Sequence, residues 1–75
     1  MHANAAKRHE ILGHLYEMRE AKPKNGWATE YDLKARFGEV TFSLGVLKEL
    51  GYIQEDGPRY RIVGAGVLAC EAIES

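Results

Sequence analysis

Cysteine is almost missing from this chain. One residue, Cys70, occurs in 75, so no internal disulfide can form, and the thiol fits a reducing, cytoplasmic setting. Long apolar runs are absent too, so no segment is expected to span a bilayer. Met1–Arg8 has no apolar core segment, and no signal peptide is expected. Charge of one sign is also lacking. The formal net charge is −1, which gives no overall pull toward a polyanion. The chemistry of catalysis has no visible foothold. There is no Ser-His-Asp order, no paired-carboxylate motif and no phosphate-cradling glycine loop. Gly64-Ala65-Gly66 lacks the further glycine of a dinucleotide fingerprint and reads as a turn. His9 and His14 are five apart and point to different sides of a helix, and His2 stands near the terminus. Cys70 is far from all three, so no metal-ligand spacing is present. Neither an enzyme, a cofactor nor a metal site is expected.

What remains is the composition of one small globular domain spanning residues 1–75. Hydrophobic residues are 45% and charged residues 28%, which excludes a disordered chain. A domain of this size buries only about 60% of its unfolded surface, so dimerisation stays open. Residues 1–24 hold five Lys/Arg, at Lys7, Arg8, Arg19, Lys22 and Lys24, against three Glu. All three histidines lie there too, and the rest of the chain is slightly acidic.

Periodicity predicts a first helix from about Asn4 to Glu20, with Ile11, Leu12, Leu15 and Met18 facing the core. Gly13 within it suggests a close packing contact. Pro23 and Asn25-Gly26 break the helix. Trp27-Ala28 reads as a short extended segment. Thr29 to Asp32 resembles a capping box that opens a second helix, Glu30 to about Phe37, which buries Leu33 and Phe37. Gly38 ends it. A third helix begins near Glu39 or Val40 and carries Leu44, Leu47 and Leu50, and Gly51 stops it at positive φ. Tyr52–Glu55 and Arg59–Val63 read as two strands joined across Asp56-Gly57-Pro58. After the Gly64–Gly66 turn, Val67–Glu74 predicts a fourth helix with Val67, Cys70 and Ile73 on one face.

This order, with Leu44, Leu47, Gly51 and Ile53 followed by Arg59-Tyr60-Arg61-Ile62 and Gly66 before a last helix, resembles the winged helix-turn-helix superfamily. Small prokaryotic and viral transcriptional regulators are the nearest type. The resemblance covers nearly the whole chain and implies an α+β, mainly α fold: a three-helix core, a two-stranded wing and a C-terminal helix. It also implies binding to double-stranded DNA, with the third helix (about 39–50) in the major groove and the wing (52–63) on the backbone or minor groove. Trp27 would then anchor the wing to the core.

Candidate contacts follow from which side chains point outward. If Val40, Leu44 and Leu47 face the core, Thr41, Phe42, Gly45, Val46, Lys48 and Glu49 face out. Thr41 could read a base edge, Lys48 could reach a phosphate, and Ser43 is a further candidate at the margin. The face has no Arg, Asn or Gln, the bidentate readers of guanine and adenine, and it carries Glu39 and Glu49. Strand alternation sets Arg59 and Arg61 on one face of the wing and Tyr60 on the other. There the arginines suit phosphate or minor-groove contact, or pairing with Glu55 and Asp56. Lys34, Arg36 and the basic ends of the first helix read as solvated surface.

Two functions fit these residues. One is a DNA-binding transcriptional regulator, as a homodimer joined through the first and last helices, where Leu12, Tyr16, Leu68 and Ile73 leave apolar surface to cover. The other is a protein-interaction module that meets its partner at Phe42 and Val46 and does not bind DNA.

Overall fold

The computed structural model describes the backbone of residues 3–74 and the side chains of residues 3–72. Met1, His2 and Ser75, and the side chains of Ile73 and Glu74, lie outside that description. Helix α1 runs over Ala3–Ala21. Ile11, Leu12 and Leu15 are buried on one face, and Met18 and Tyr16 pack partly against the same core. Lys22 N–H closes the last turn on Met18 O at 2.9 Å, and Pro23 cannot extend the helix further. The chain then folds back, with Asn25 N–H donating to Lys22 O at 3.0 Å.

Strand β1 is only Ala28–Thr29, and helix α2 (Glu30–Phe37) follows at once. Thr29 caps α2, its Oγ1 accepting from Asp32 N–H at 3.1 Å. Glu30 and Asp32 in the first turn and Lys34 and Arg36 in the last match the helix dipole. Gly38 (φ 79°) ends the helix, its N–H donating to Lys34 O.

Helix α3 covers Thr41–Glu49. Val40, the residue before it, has no capping side chain. Glu39 takes that role, its Oε1 accepting from Thr41 N–H at 2.7 Å, and the helix therefore starts a residue or two later than expected. Its end is a Schellman motif. Tyr52 N–H bonds Leu47 O and Gly51 N–H bonds Lys48 O, both at 3.0 Å, with Gly51 at φ 77°. That turn aims the chain directly into strand β2 (Ile53–Asp56), which pairs with β3 (Arg59–Ile62).

Only Gly57 and Pro58 separate Asp56 from its partner Arg59. Gly57 has φ 61° and proline cannot, so the loop is of type II′ and matches the strand twist. The sheet order is β1-β3-β2, all antiparallel. Pro58 O accepts from Glu30 N–H at 2.8 Å, tying the hairpin tip to the start of α2. The architecture is α+β and mainly helical: among the described residues, four helices and one three-stranded sheet.

Helix α4 spans Gly64–Glu74. The expected turn at Gly64-Ala65-Gly66 is its first turn instead, closed by Val67 N–H on Val63 O at 2.9 Å. Gly66 lets the first turn of α4 approach Tyr52 and Ile62 closely. A Cβ at this position would clash with Tyr52 O and would lie 2.7 Å from Ile62 Cγ1. Gly26 is the second close-approach glycine, since a Cβ there would meet Arg19 Cα at 2.8 Å. Gly13, expected to mark a packing contact, has nothing within 4 Å of where a Cβ would lie.

Two surface expectations change as well. Leu12 is 3% exposed and belongs to the core rather than to an apolar surface between helices. Tyr16 is half-buried and its hydroxyl donates to Glu71 Oε2 at 2.8 Å. Leu68 is exposed as expected. No helix among the described residues is long and apolar enough to cross a membrane.

Candidate nucleic-acid interface

Alternation along β3 divides its side chains. Tyr60 and Ile62 are buried in the core, while Arg59 and Arg61 lie on the opposite face. The register extends this face across the sheet. Ala28 pairs with Tyr60 and Thr29 with Arg59, so Trp27, one residue earlier, falls beside Arg61. On the other side, Gln54 pairs with Arg61 and Asp56 with Arg59. Trp27, Thr29, Arg59, Arg61, Gln54 and Asp56 therefore share one face.

Both guanidinium groups lie over the Trp27 ring, with Arg59 Cζ 4.4 Å and Arg61 Cζ 5.1 Å from its centroid. Each is also held from β2. Arg59 donates from an Nη to Asp56 Oδ2 at 2.8 Å, and Arg61 Nε donates to Gln54 Oε1 at 2.9 Å. A guanidinium has five N–H donors, so each of these bonds uses one and orients the fork. The arginines are thus stacked on the ring and oriented by the protein's own side chains. Trp27, half-buried, serves as the expected anchor of the hairpin. Its part as a platform for both arginines was not read from the sequence, although strand register alone places the three together.

Glu55 is not an arginine partner. It accepts from Lys48 Nζ at 2.6 Å and from Tyr60 Oη at 2.9 Å. The Lys48 hydrogen bond, and then that of Tyr60, hold the Glu55 carboxyl below its usual range. Burial first, then the Glu55 hydrogen bond and charge, push the Tyr60 phenol up to about 12. At neutral pH Glu55 is therefore a carboxylate and Tyr60 a neutral phenol, and the bonds of Glu55 with Lys48 and Tyr60 tie α3 to the hairpin.

On α3, Thr41 and Lys48 are exposed as expected. Ser43 is not available. It is 2% exposed, because positions 40, 43, 44 and 47 follow the spacing of one helix face and Ser43 shares the inward face with Val40, Leu44 and Leu47. Phe42 is 60% exposed and Leu50 53%, while Val46 is half-buried. Lys7 Nζ donates to Glu39 O at 3.0 Å, which brings the start of α1 to the start of α3. The groove between α3 and the hairpin is small, about 180 Å³, and its lining includes Glu30 and Glu55 against the single cation Lys48.

No group of three His, Cys, Asp or Glu side chains that could hold a metal ion occurs among the described residues. Cys70 is buried in α4. His14 is half-buried and meets the Phe37 ring edge-on, with centroids 5.7 Å apart. Burial, and then the Arg36 charge, hold its pKa below 6.5, against smaller opposing effects of Glu17 and Asp32. The folded state therefore favours neutral His14. Its contribution to stability is full above the unfolded pKa and is lost as pH falls through the 6.5 region toward the lower folded value. We expect thermal stability to decline between pH 7.5 and 5.5, and to decline less in His14→Asn. Parallel pH–melting curves for the two proteins would refute this.

Compared with protein-family models, with curated proteins and with solved structures, the chain matches none.

Proposed function

We propose that this chain is a winged helix-turn-helix protein that binds double-stranded DNA as a transcriptional regulator. The observation that carries the reading is the pair Arg59 and Arg61, stacked on Trp27 and aimed from one exposed sheet face. Such a pair presents guanidinium N–H groups to phosphate, or to a narrow minor groove, at little ordering cost. The element order, with α3 passing through Gly51 straight into the hairpin, supports the same reading. In it, α3 enters the major groove and Thr41 and Lys48 make its contacts. Lys48 must exchange Glu55 for phosphate. Exposed ion pairs contribute about 0–1 kcal/mol, so the exchange costs little.

The test is anisotropy of a labelled mixed-sequence duplex titrated with the protein at several salt concentrations. The double variant Arg59→Ala/Arg61→Ala should weaken binding to every sequence and lower the salt slope by about two units. An unchanged slope removes the hairpin from the interface.

A second reading, a protein-interaction module, is favoured by Phe42, an aromatic left 60% exposed on α3. Phe42→Ser distinguishes the two. It leaves backbone-driven DNA binding intact and abolishes capture of a protein through this face. Of the described residues expected in a homodimer surface on α1 and α4, Leu68 and the rim of Tyr16 remain for it, since Leu12 is already buried, and the Ile73 side chain lies outside the described residues.

A further inference from the structure

The sheet face that carries the arginines does not end at the hairpin. Beside it, between the last turn of α1 and β1, an open cleft of about 420 Å³ has Met18, Ala21, Lys22, Trp27, Thr29 and Arg59 among its lining residues. We infer that this cleft is a second phosphate-backbone site, in which Lys22 takes the DNA strand onward from Arg59. The inference rests on the duplex-binding reading above and adds to it a surface and a residue.

Charge is the first argument. No carboxylate lines the cleft, whereas the groove on the α3 side holds two against one lysine. A phosphate backbone therefore meets less repulsion on the α1 side of the hairpin than on the side where the recognition helix lies. The C-terminal end of α1 adds a partial negative charge nearby. Arg19 in the last turn and the exposed Lys22 and Lys24 answer it.

Continuity is the second argument. Arg59 belongs to both surfaces, stacked on Trp27 and lining the cleft. A strand contacting the hairpin arginines passes to Lys22 without crossing an acidic side chain of the cleft lining.

Fixed geometry is the third. The loop that carries Lys22 is pinned by the Asn25-to-Lys22 backbone bond and by Gly26, which presses against the Arg19 backbone with no room for a side chain. The cleft wall is held by backbone contacts and does not depend on a ligand to shape it.

The experiment compares two exchanges that each remove one positive charge from α1 or its end. Lys22→Gln acts in the cleft. Arg8→Gln acts in a groove shared with α4, about 20 Å away along the helix axis at 1.5 Å per residue. Both are assayed in the full chain with the labelled mixed-sequence duplex over a salt series, after thermal unfolding shows both folds intact. Lys22→Gln should lower the salt slope by about 0.9, one phosphate contact, and Arg8→Gln should leave it unchanged. Equal losses in the two variants would mean a diffuse charge effect and overturn the cleft site. So would a wild-type slope in Lys22→Gln alongside a reduced slope in Arg59→Ala/Arg61→Ala, which leaves the hairpin interface standing alone. A wild-type protein with no salt-sensitive duplex binding overturns the cleft and the duplex reading together.

Discussion

Gly66→Ala should lower the melting temperature by roughly 10–20 °C, from an overpacking cost of about 3 kcal/mol in a domain of this size. The new methyl group would clash with Tyr52 O. That oxygen cannot yield easily, because it already accepts from Val63 N–H at 2.9 Å at the junction where β3 hands over to α4. Ile62 Cγ1, at 2.7 Å from the same point, belongs to a fully buried side chain. Relief requires the first turn of α4 to move away from Tyr52 and Ile62, and that loosens Val67 and Cys70 from the core. Circular dichroism against temperature reads the effect directly. Gly13→Ala is the matched comparison: it meets open space and adds helix propensity. A Gly66→Ala melting point within a few degrees of the wild type would show that α4 does not sit this close.

The second large effect is expected at Trp27. Trp27→Ala removes the ring beneath two guanidinium groups and part of the hairpin's attachment to the core. Truncating a fully buried tryptophan costs about 3–5 kcal/mol, and Trp27 is only half-buried, so about 2 kcal/mol of stability should go. Duplex affinity should fall roughly tenfold, since ordering each released arginine on binding costs about 0.5–1.5 kcal/mol. Trp27→Phe keeps a ring and should recover most of the affinity. The two arginines remain present in both variants, so a difference between them isolates the platform from the charge. Equal affinities for the Ala and Phe variants would mean that the ring does not position the arginines.

Much of this fold was legible because local chemistry and global packing agree. Thr29 caps α2, Gly38 and Gly51 stop α2 and α3, and the alternation in Arg59-Tyr60-Arg61-Ile62 sorts its side chains as the strand period requires. The misreadings share one cause, that sequence does not say what lies opposite. Gly13 and Gly66 look alike in the sequence, yet one faces open space and the other a carbonyl oxygen from a different element. Ser43, a candidate at the margin of the outward face, is buried with Val40 and Leu47. Leu12, read both as part of the core stripe and as dimer surface, is core because α3 and α4 both pack on α1. The candidate face was legible in its arginines but not in their pairings. Arg59 and Arg61 stood out, whereas Gln54 as a partner, Trp27 as a platform and Glu55 as the tie between Lys48 and Tyr60 depend on a register that only the folded sheet supplies.

The strand order has a consequence for how copies of the chain can meet. With β3 in the centre, the outer rims of the sheet fall to β1, two residues long, and β2, four residues long and carrying Gln54, Glu55 and Asp56. A rim this short offers few unpaired backbone groups to template a foreign strand. Edge-to-edge fibril growth has almost nothing to start from, and any self-association is left to side-chain surfaces.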